Sequence, residues 1–137
     1  MITIHLGLKG IGKTKRLIDS VNSAITEEKG NVICIAEGSR LMHDIKRGAR
    51  LIDTDSFKIS NFDVLAGFVS GIISRDFDIT HIFIDSVMKI VPNEALSNMD
   101  KFVEALEFLA EKYNVSFTMM VSANSEDAPE KVRKYMQ

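Results

Sequence analysis

The chain has 137 residues, 45% of them hydrophobic, with 17 lysines and arginines against 19 aspartates and glutamates. That length suits one packed domain over residues 1–137 and not two, while a net charge of -2 excludes a global attraction to nucleic acid or to an acidic membrane, so any polyanion contact must be local. One cysteine, Cys34, rules out an internal disulfide; no basic segment leads into an apolar run as in an export signal, and no run approaches the roughly 18 apolar residues of a membrane span, so a cytoplasmic protein is expected.

In chain order, residues 2–6 form a β-rich run ending at Gly7. Leu17, Ile18, Val21, Ala24 and Ile25 then repeat at helical spacing, and Gly30 stops that helix. The apolar run 32–36 predicts a buried parallel strand. A short helix carrying Leu41, Met42 and Ile45 is expected next, and residues 51–52 add a candidate strand. Ser60, with Asp63 three residues on, reads as the start of a helix that buries Val64, Leu65, Phe68, Val69, Ile72 and Ile73. Residues 82–84 predict a strand. After Pro92 a helix starts at or before Ser97, with Phe102, Val103, Leu106, Leu109, Ala110 and Tyr113 as its buried stripe. Residues 117–121 predict the last strand and 129–135 a terminal helix. The order β-α-β-α-α-β-α-β-α predicts an α/β fold, a three-layer sandwich with a mostly parallel sheet and helices on both faces.

Between the first strand and the first helix stands "GLKGIGKT", in which Gly7, Gly12, Lys13 and Thr14 fit the phosphate-loop pattern G-x-x-x-x-G-K-[ST]. Phosphates need unobstructed backbone N–H groups, which Gly7, Gly10 and Gly12 permit, and the helix N-terminus adds the positive end of its dipole. Gly7, Gly10, Ile11, Gly12, Lys13, Thr14 and Lys15 are thus the expected nucleotide contacts. Lys13 would reach the β and γ phosphates, and the Thr14 hydroxyl would hold Mg²⁺. A second magnesium anchor is expected from Asp85, which ends the apolar strand in "HIFIDS". Hydrolysis requires a carboxylate that polarises a water in line with the γ phosphate, and Glu37, directly after the second strand, is the choice; the plain alternative is a glutamate favoured by the dipole of the next helix.

The set "GLKGIGKT", "VICIAEGS", "IFIDSV" and "TMMVSAN" resembles the core of RecA-like ATPases, over roughly residues 1–124. The resemblance implies a P-loop NTPase (RecA-like) architecture with ATP and Mg²⁺ as ligands. It gives Glu37 the role of activating water, Asp85 that of serving magnesium, and Ser122 or Asn124 that of sensing the γ phosphate. Preference for adenine over guanine comes from this resemblance alone. The loops that bind DNA in such proteins fall here on residues 86–98, with Lys89 the lone cation, and 122–130, which hold Glu126, Asp127 and Glu130. Those charges repel a phosphate backbone and argue against recombinase activity.

Other residues carry two readings. Lys131 and Arg133 have the K-x-R spacing that reaches a neighbouring subunit's γ phosphate, but cations near a helix C-terminus are more commonly solvated there. Gly67 and Gly71 suit close packing of their helix on the sheet, or on a second copy or another protein. His5 and His81 read as strand residues rather than metal ligands, Cys34 as an inert core thiol, and Asp53 and Asp55 as turn residues. The expected function is a Mg²⁺–ATP-binding protein, a slow ATPase that couples hydrolysis to a change of shape or partner. Two alternatives stay open: a nucleotide or small-metabolite kinase, with Arg40, Arg47 and Arg50 as a short lid, and a module that binds nucleotide without hydrolysing it.

Overall fold

The computed structural model describes residues 1–8, 10 and 12–137; Ile11, one of the expected nucleotide contacts, lies outside them. Five strands, β1 (Ile2–Gly7), β2 (Asn31–Ala36), β3 (Ala49–Asp53), β4 (Ile79–Ile84) and β5 (Ser116–Ser122), form one sheet in the order β1-β5-β4-β2-β3. Every pairing is parallel, so all five C-terminal ends lie on one rim.

Five α-helices, α1 (Lys13–Glu27), α2 (Phe62–Arg75), α3 (Val87–Ile90), α4 (Met99–Tyr113) and α5 (Glu130–Lys134), and three short 3-10 turns complete the chain. Side chains alternate across each strand, which divides the core in two. Ile4, Ile35, Ile82, Ile84, Phe117 and Met119 pack with Leu65 and Val69 of α2 and Phe102 and Leu106 of α4. On the opposite face Cys34, Phe83 and Met120 meet Leu17, Val21 and Ala24 of α1. The outer edge of β1 is met by the chain's last residues: Ile4 donates to the Tyr135 carbonyl at 2.9 Å and accepts from Gln137 at 2.9 Å. Among the described residues no helix is long and apolar enough to cross a membrane.

The expected helix around Leu41, Met42 and Ile45 is instead a run of turns. It is bracketed by positive-φ glycines, Gly38 (φ 84) and Gly48 (φ 111). Asn22 of α1 captures its backbone, donating to the Asp44 carbonyl at 3.0 Å and accepting from the Lys46 amide at 2.9 Å. Leu41 is buried, while Met42 is exposed, so one side chain anchors the segment without a helical face.

Asn61 rather than Ser60 caps α2, its Oδ1 accepting from the Val64 amide at 2.9 Å. The helical path after Pro92 begins as a 3-10 turn at Leu96–Asn98 and becomes α at Met99. The one-turn α3 after Asp85 carries too short a periodicity to stand out in sequence. Gly67 and Gly71 do not pack closely on the sheet: a side chain at either would meet nothing within 4 Å.

Gly30 has a role beyond ending α1. A Cβ there would collide with the Asp78 carbonyl and the Thr80 side chain, where the β2 entry crosses the β4 entry and Asn31 donates to Asp78 O at 2.9 Å. Gly30→Ala is therefore expected to cost about 1–3 kcal/mol of stability in urea unfolding. Gly67→Ala, in open helix, is expected to add roughly 0.5–1 kcal/mol. Equal responses from the two variants would contradict the close approach at Gly30.

Candidate functional site

The site is built on the C-terminal rim of the sheet. Gly7 ends β1 in register with Ser122 of β5, and the Ala123 amide continues that pairing to the Gly7 carbonyl at 3.0 Å. Next along the rim come Asp85 after β4 and Glu37 after β2, with Asp53 ending β3. At about 4.8 Å per strand, β4 lies roughly 10 Å and β2 roughly 14 Å from β1.

The loop from β1 to α1 turns through Gly10 (φ 92) and Gly12 (φ 76). Space does not demand glycine at either position, since an added Cβ meets nothing within 4 Å; the left-handed backbone does. Gly12 occupies the N-cap of α1, where no side chain caps the helix and no acidic residue enters its first turn. The first amides of α1 are thus left for an anion.

Lys13 opens the helix with a side chain only 9% exposed. Its ammonium folds back to donate to the Leu8 carbonyl at 2.5 Å. Burial holds its pKa below the ordinary lysine value, and the Asp85 carboxylate opposes part of that shift. Thr14 follows, half-buried in the first turn. Lys15 is exposed and pairs with Asp19 at 3.4 Å, so only its backbone faces the loop's task.

Asp85 is fully buried. Its amide donates to the Ile35 carbonyl at 2.9 Å, extending the β2–β4 ladder by one residue. One carboxylate oxygen, Oδ2, accepts from Arg40 Nη2 at 2.6 Å. The other, Oδ1, is buried with no partner. Ser86 then takes a left-handed conformation (φ 48, ψ 56) and accepts from Arg40 at 3.1 Å. A non-glycine residue in that region is strained, and such strain concentrates at functional sites. Beneath, burial and the Asp85 charge push the Cys34 thiol up to about 12, which keeps it unreactive.

A bare buried oxygen is a cost unless something binds it. Asp85 Oδ1 is the orphaned oxygen of this rim that could hold a hydrated Mg²⁺, and the Thr14 hydroxyl is the other expected anchor. Among the described residues no cluster of three His, Cys, Asp or Glu side chains could hold a metal unaided. Any magnesium here needs oxygens from its ligand and from water, as Mg²⁺ commonly does.

Glu37 is half-buried at the end of β2. The residue after it is fixed from β3: Asp53 Oδ1 accepts from the Gly38 amide at 2.8 Å and from the Asp55 amide at 2.9 Å. Asp53 thus caps its own turn and also fixes the backbone directly after Glu37.

Of the two candidates at and beyond the end of β5, Ser122 lines a crevice of about 360 Å³ with Leu8, Ser86, Met88, Lys89 and Ala123. Asn124 spends its side-chain oxygen on its own turn, accepting from the Glu126 amide at 3.0 Å.

Lys131 and Arg133 are solvent-facing cations in the last turn of α5, and each also bonds its own chain. Arg133 donates to the carbonyls of Ala128 (2.9 Å), Ser125 (3.1 Å) and Glu126 (3.1 Å), clasping the turn after β5. Glu107 of α4 gathers Lys131 at 3.1 Å, Lys134 at 3.8 Å and the Tyr135 hydroxyl at 2.5 Å. His5 meets Arg16 at 3.3 Å and His81 meets Thr118 at 2.8 Å, as strand residues paired with neighbours. Both line a groove of about 630 Å³ beside α1 that reaches Gly12 and Lys15.

No protein-family model matches the chain, and no curated protein matches it.

Three residues of this rim and its supports lacked a sequence signal for their roles: Arg40, Asp53 and Glu107. Each acts across at least 15 residues of chain, through a contact that only the sheet order creates.

The Tyr135 hydroxyl and then the lysines hold the Glu107 carboxyl below the usual glutamate value. A lowered folded pKa adds stability that is full above the unfolded pKa of about 4.5 and is lost as pH falls through the folded value. Wild type is therefore expected to lose stability more steeply than Glu107→Gln below pH 4.5, measured by urea unfolding across that window. Parallel pH profiles would contradict the α4–α5 contact.

Proposed function

We propose that the protein binds Mg²⁺–ATP over the β1–α1 loop and hydrolyses it slowly, coupling hydrolysis to a change of shape or of partner. One observation carries the reading: Lys13, buried on the first turn of α1, and Asp85, buried with one oxygen bare, share one rim under the order β1-β5-β4, and the Asp85 charge acts on Lys13. That order also has the sensor strand between the phosphate-loop strand and the Asp85 strand, the layout of RecA-like cores, which supports that architecture.

In this reading the amides of Gly10 and Gly12 and the uncapped start of α1 receive the phosphates. Lys13 exchanges its Leu8 carbonyl for phosphate oxygens, a stronger charge-assisted bond. Thr14 and Asp85 hold the magnesium, which neutralises charge on the phosphate oxygens when bound. Glu37 orients a water and takes up its proton during attack on the terminal phosphorus. Ser122 supplies a hydroxyl beside the loop, in register with Gly7.

A kinase needs an arginine lid that closes over both substrates. Asn22 pins the backbone at Asp44 and Lys46, between Arg40 and Arg47, which weighs against a lid that moves as a segment.

Calorimetric titration of Mg²⁺–ATP is expected to give micromolar binding, roughly -8 kcal/mol, that disappears in Lys13→Ala. Glu37→Gln is expected to keep that binding and lose about 100-fold or more in phosphate release. Full turnover in the glutamine variant removes Glu37 from the mechanism. Binding by wild type with no phosphate release favours the non-hydrolysing module, and transfer of phosphate to an added nucleoside favours the kinase.

A further inference from the structure

Among the described residues Asp85 is the one fully buried carboxylate, and its neutralisation is incomplete in a particular way. Arg40 presents one N–H to one oxygen, at 2.6 Å, while Oδ1 stays bare. A guanidinium facing a carboxylate commonly uses both oxygens as a fork. Here the second oxygen is withheld, and the Arg40 side chain remains 37% exposed.

The Asp85 charge is also felt by a second cation, Lys13, whose ammonium bonds the Leu8 carbonyl. Two positive groups therefore lie around one buried negative group beside the β1–α1 loop. That surplus of positive charge suits an anion.

The two cations differ in what holds them. Lys13 sits on the first turn of a 15-residue helix. Arg40 sits two residues after Gly38, on a run of turns outside any helix or strand. Among the described residues its side chain bonds only Asp85 and Ser86. A divalent cation arriving at the bare Oδ1 would take over neutralisation of Asp85 and repel the guanidinium beside it.

We propose that Arg40 is the residue that reads the terminal phosphate: it neutralises Asp85 when the site is empty and moves to the γ phosphate when a Mg²⁺-bound nucleoside triphosphate is seated. The inference rests on the nucleotide reading above and adds to it a basis for preferring triphosphate over diphosphate. A diphosphate lacks the anionic group that gives Arg40 a second home, so its binding leaves the guanidinium at Asp85 in competition with the metal.

The test is calorimetric titration of Mg²⁺–ATP and Mg²⁺–ADP into wild type, Arg40→Ala and Arg40→Gln, with Lys13→Ala alongside. The glutamine variant keeps a donor for Asp85 should the alanine variant fail to fold. Wild type is expected to prefer ATP, and the Arg40 variants to lose about tenfold or more of that preference, with ADP affinity unchanged or raised. On wild-type protein, the Arg40 side-chain N–H resonance is expected to shift with Mg²⁺–ATP and not with Mg²⁺–ADP. Retention of the full ATP-over-ADP ratio in a folded Arg40 variant, or an Arg40 signal indifferent to the third phosphate, overturns the inference and leaves nucleotide binding standing. ATP binding that survives in Lys13→Ala, or is missing in wild type, overturns the nucleotide reading itself and this inference with it.

Discussion

The arrangement of the rim follows from one carboxylate that water cannot reach. Asp85 ends a strand whose neighbours on both sides are core strands, so its side chain is enclosed. An ionised group in such a place is tolerated only with a compensating charge. Arg40 has to reach in from the segment after β2, and Ser86 has to take a left-handed turn that clears the carboxylate and offers its hydroxyl to the same guanidinium. Lys13 is set opposite. The region after β2 is thereby tied to the end of β4, and the Asp85 charge reaches Lys13.

Parallel pairing is what converts these separate requirements into a site. In an antiparallel sheet alternate strands would end at opposite edges; here Gly7, Ser122, Asp85, Glu37 and Asp53 all end on one edge. Burial on both faces holds that edge steady, because the strands carry isoleucine, valine and phenylalanine toward one helical layer or the other. The supports are themselves distant: Asp53 fixes the backbone behind Glu37 from the edge strand, and α5, fastened to α4 through Glu107, clasps the turn after β5 with Arg133.

Much of this is legible in the residues alone because it is local. "GLKGIGKT" carries its own geometry, since a left-handed backbone at Gly10 and Gly12 is a property of glycine and the helix start follows at once. The expected strands at 2–6, 32–36, 82–84 and 117–121 became β1, β2, β4 and β5, each end within three residues of its expected place, and Asp85 and Glu37 directly follow two of them. What stayed hidden is non-local. The spacing of Leu41, Met42 and Ile45 fits a helix, but Asn22, far back on α1, competes for that backbone and wins. Ser60 and Asn61 are both good caps, and the backbone at Asn61 decides between them. Arg133 has the spacing by which RecA-like proteins reach a neighbouring subunit; three carbonyls of its own chain hold it on the turn after β5.

The account stands on Asp85 being the metal-side anchor of the site. Titrating ATP into wild type and Asp85→Asn, each with and without Mg²⁺, tests it most directly. Magnesium should strengthen ATP binding by wild type, while in the asparagine variant binding should be the same with and without the metal. The same gain from magnesium in both proteins would contradict the account, since the buried carboxylate would then have no part in holding the metal.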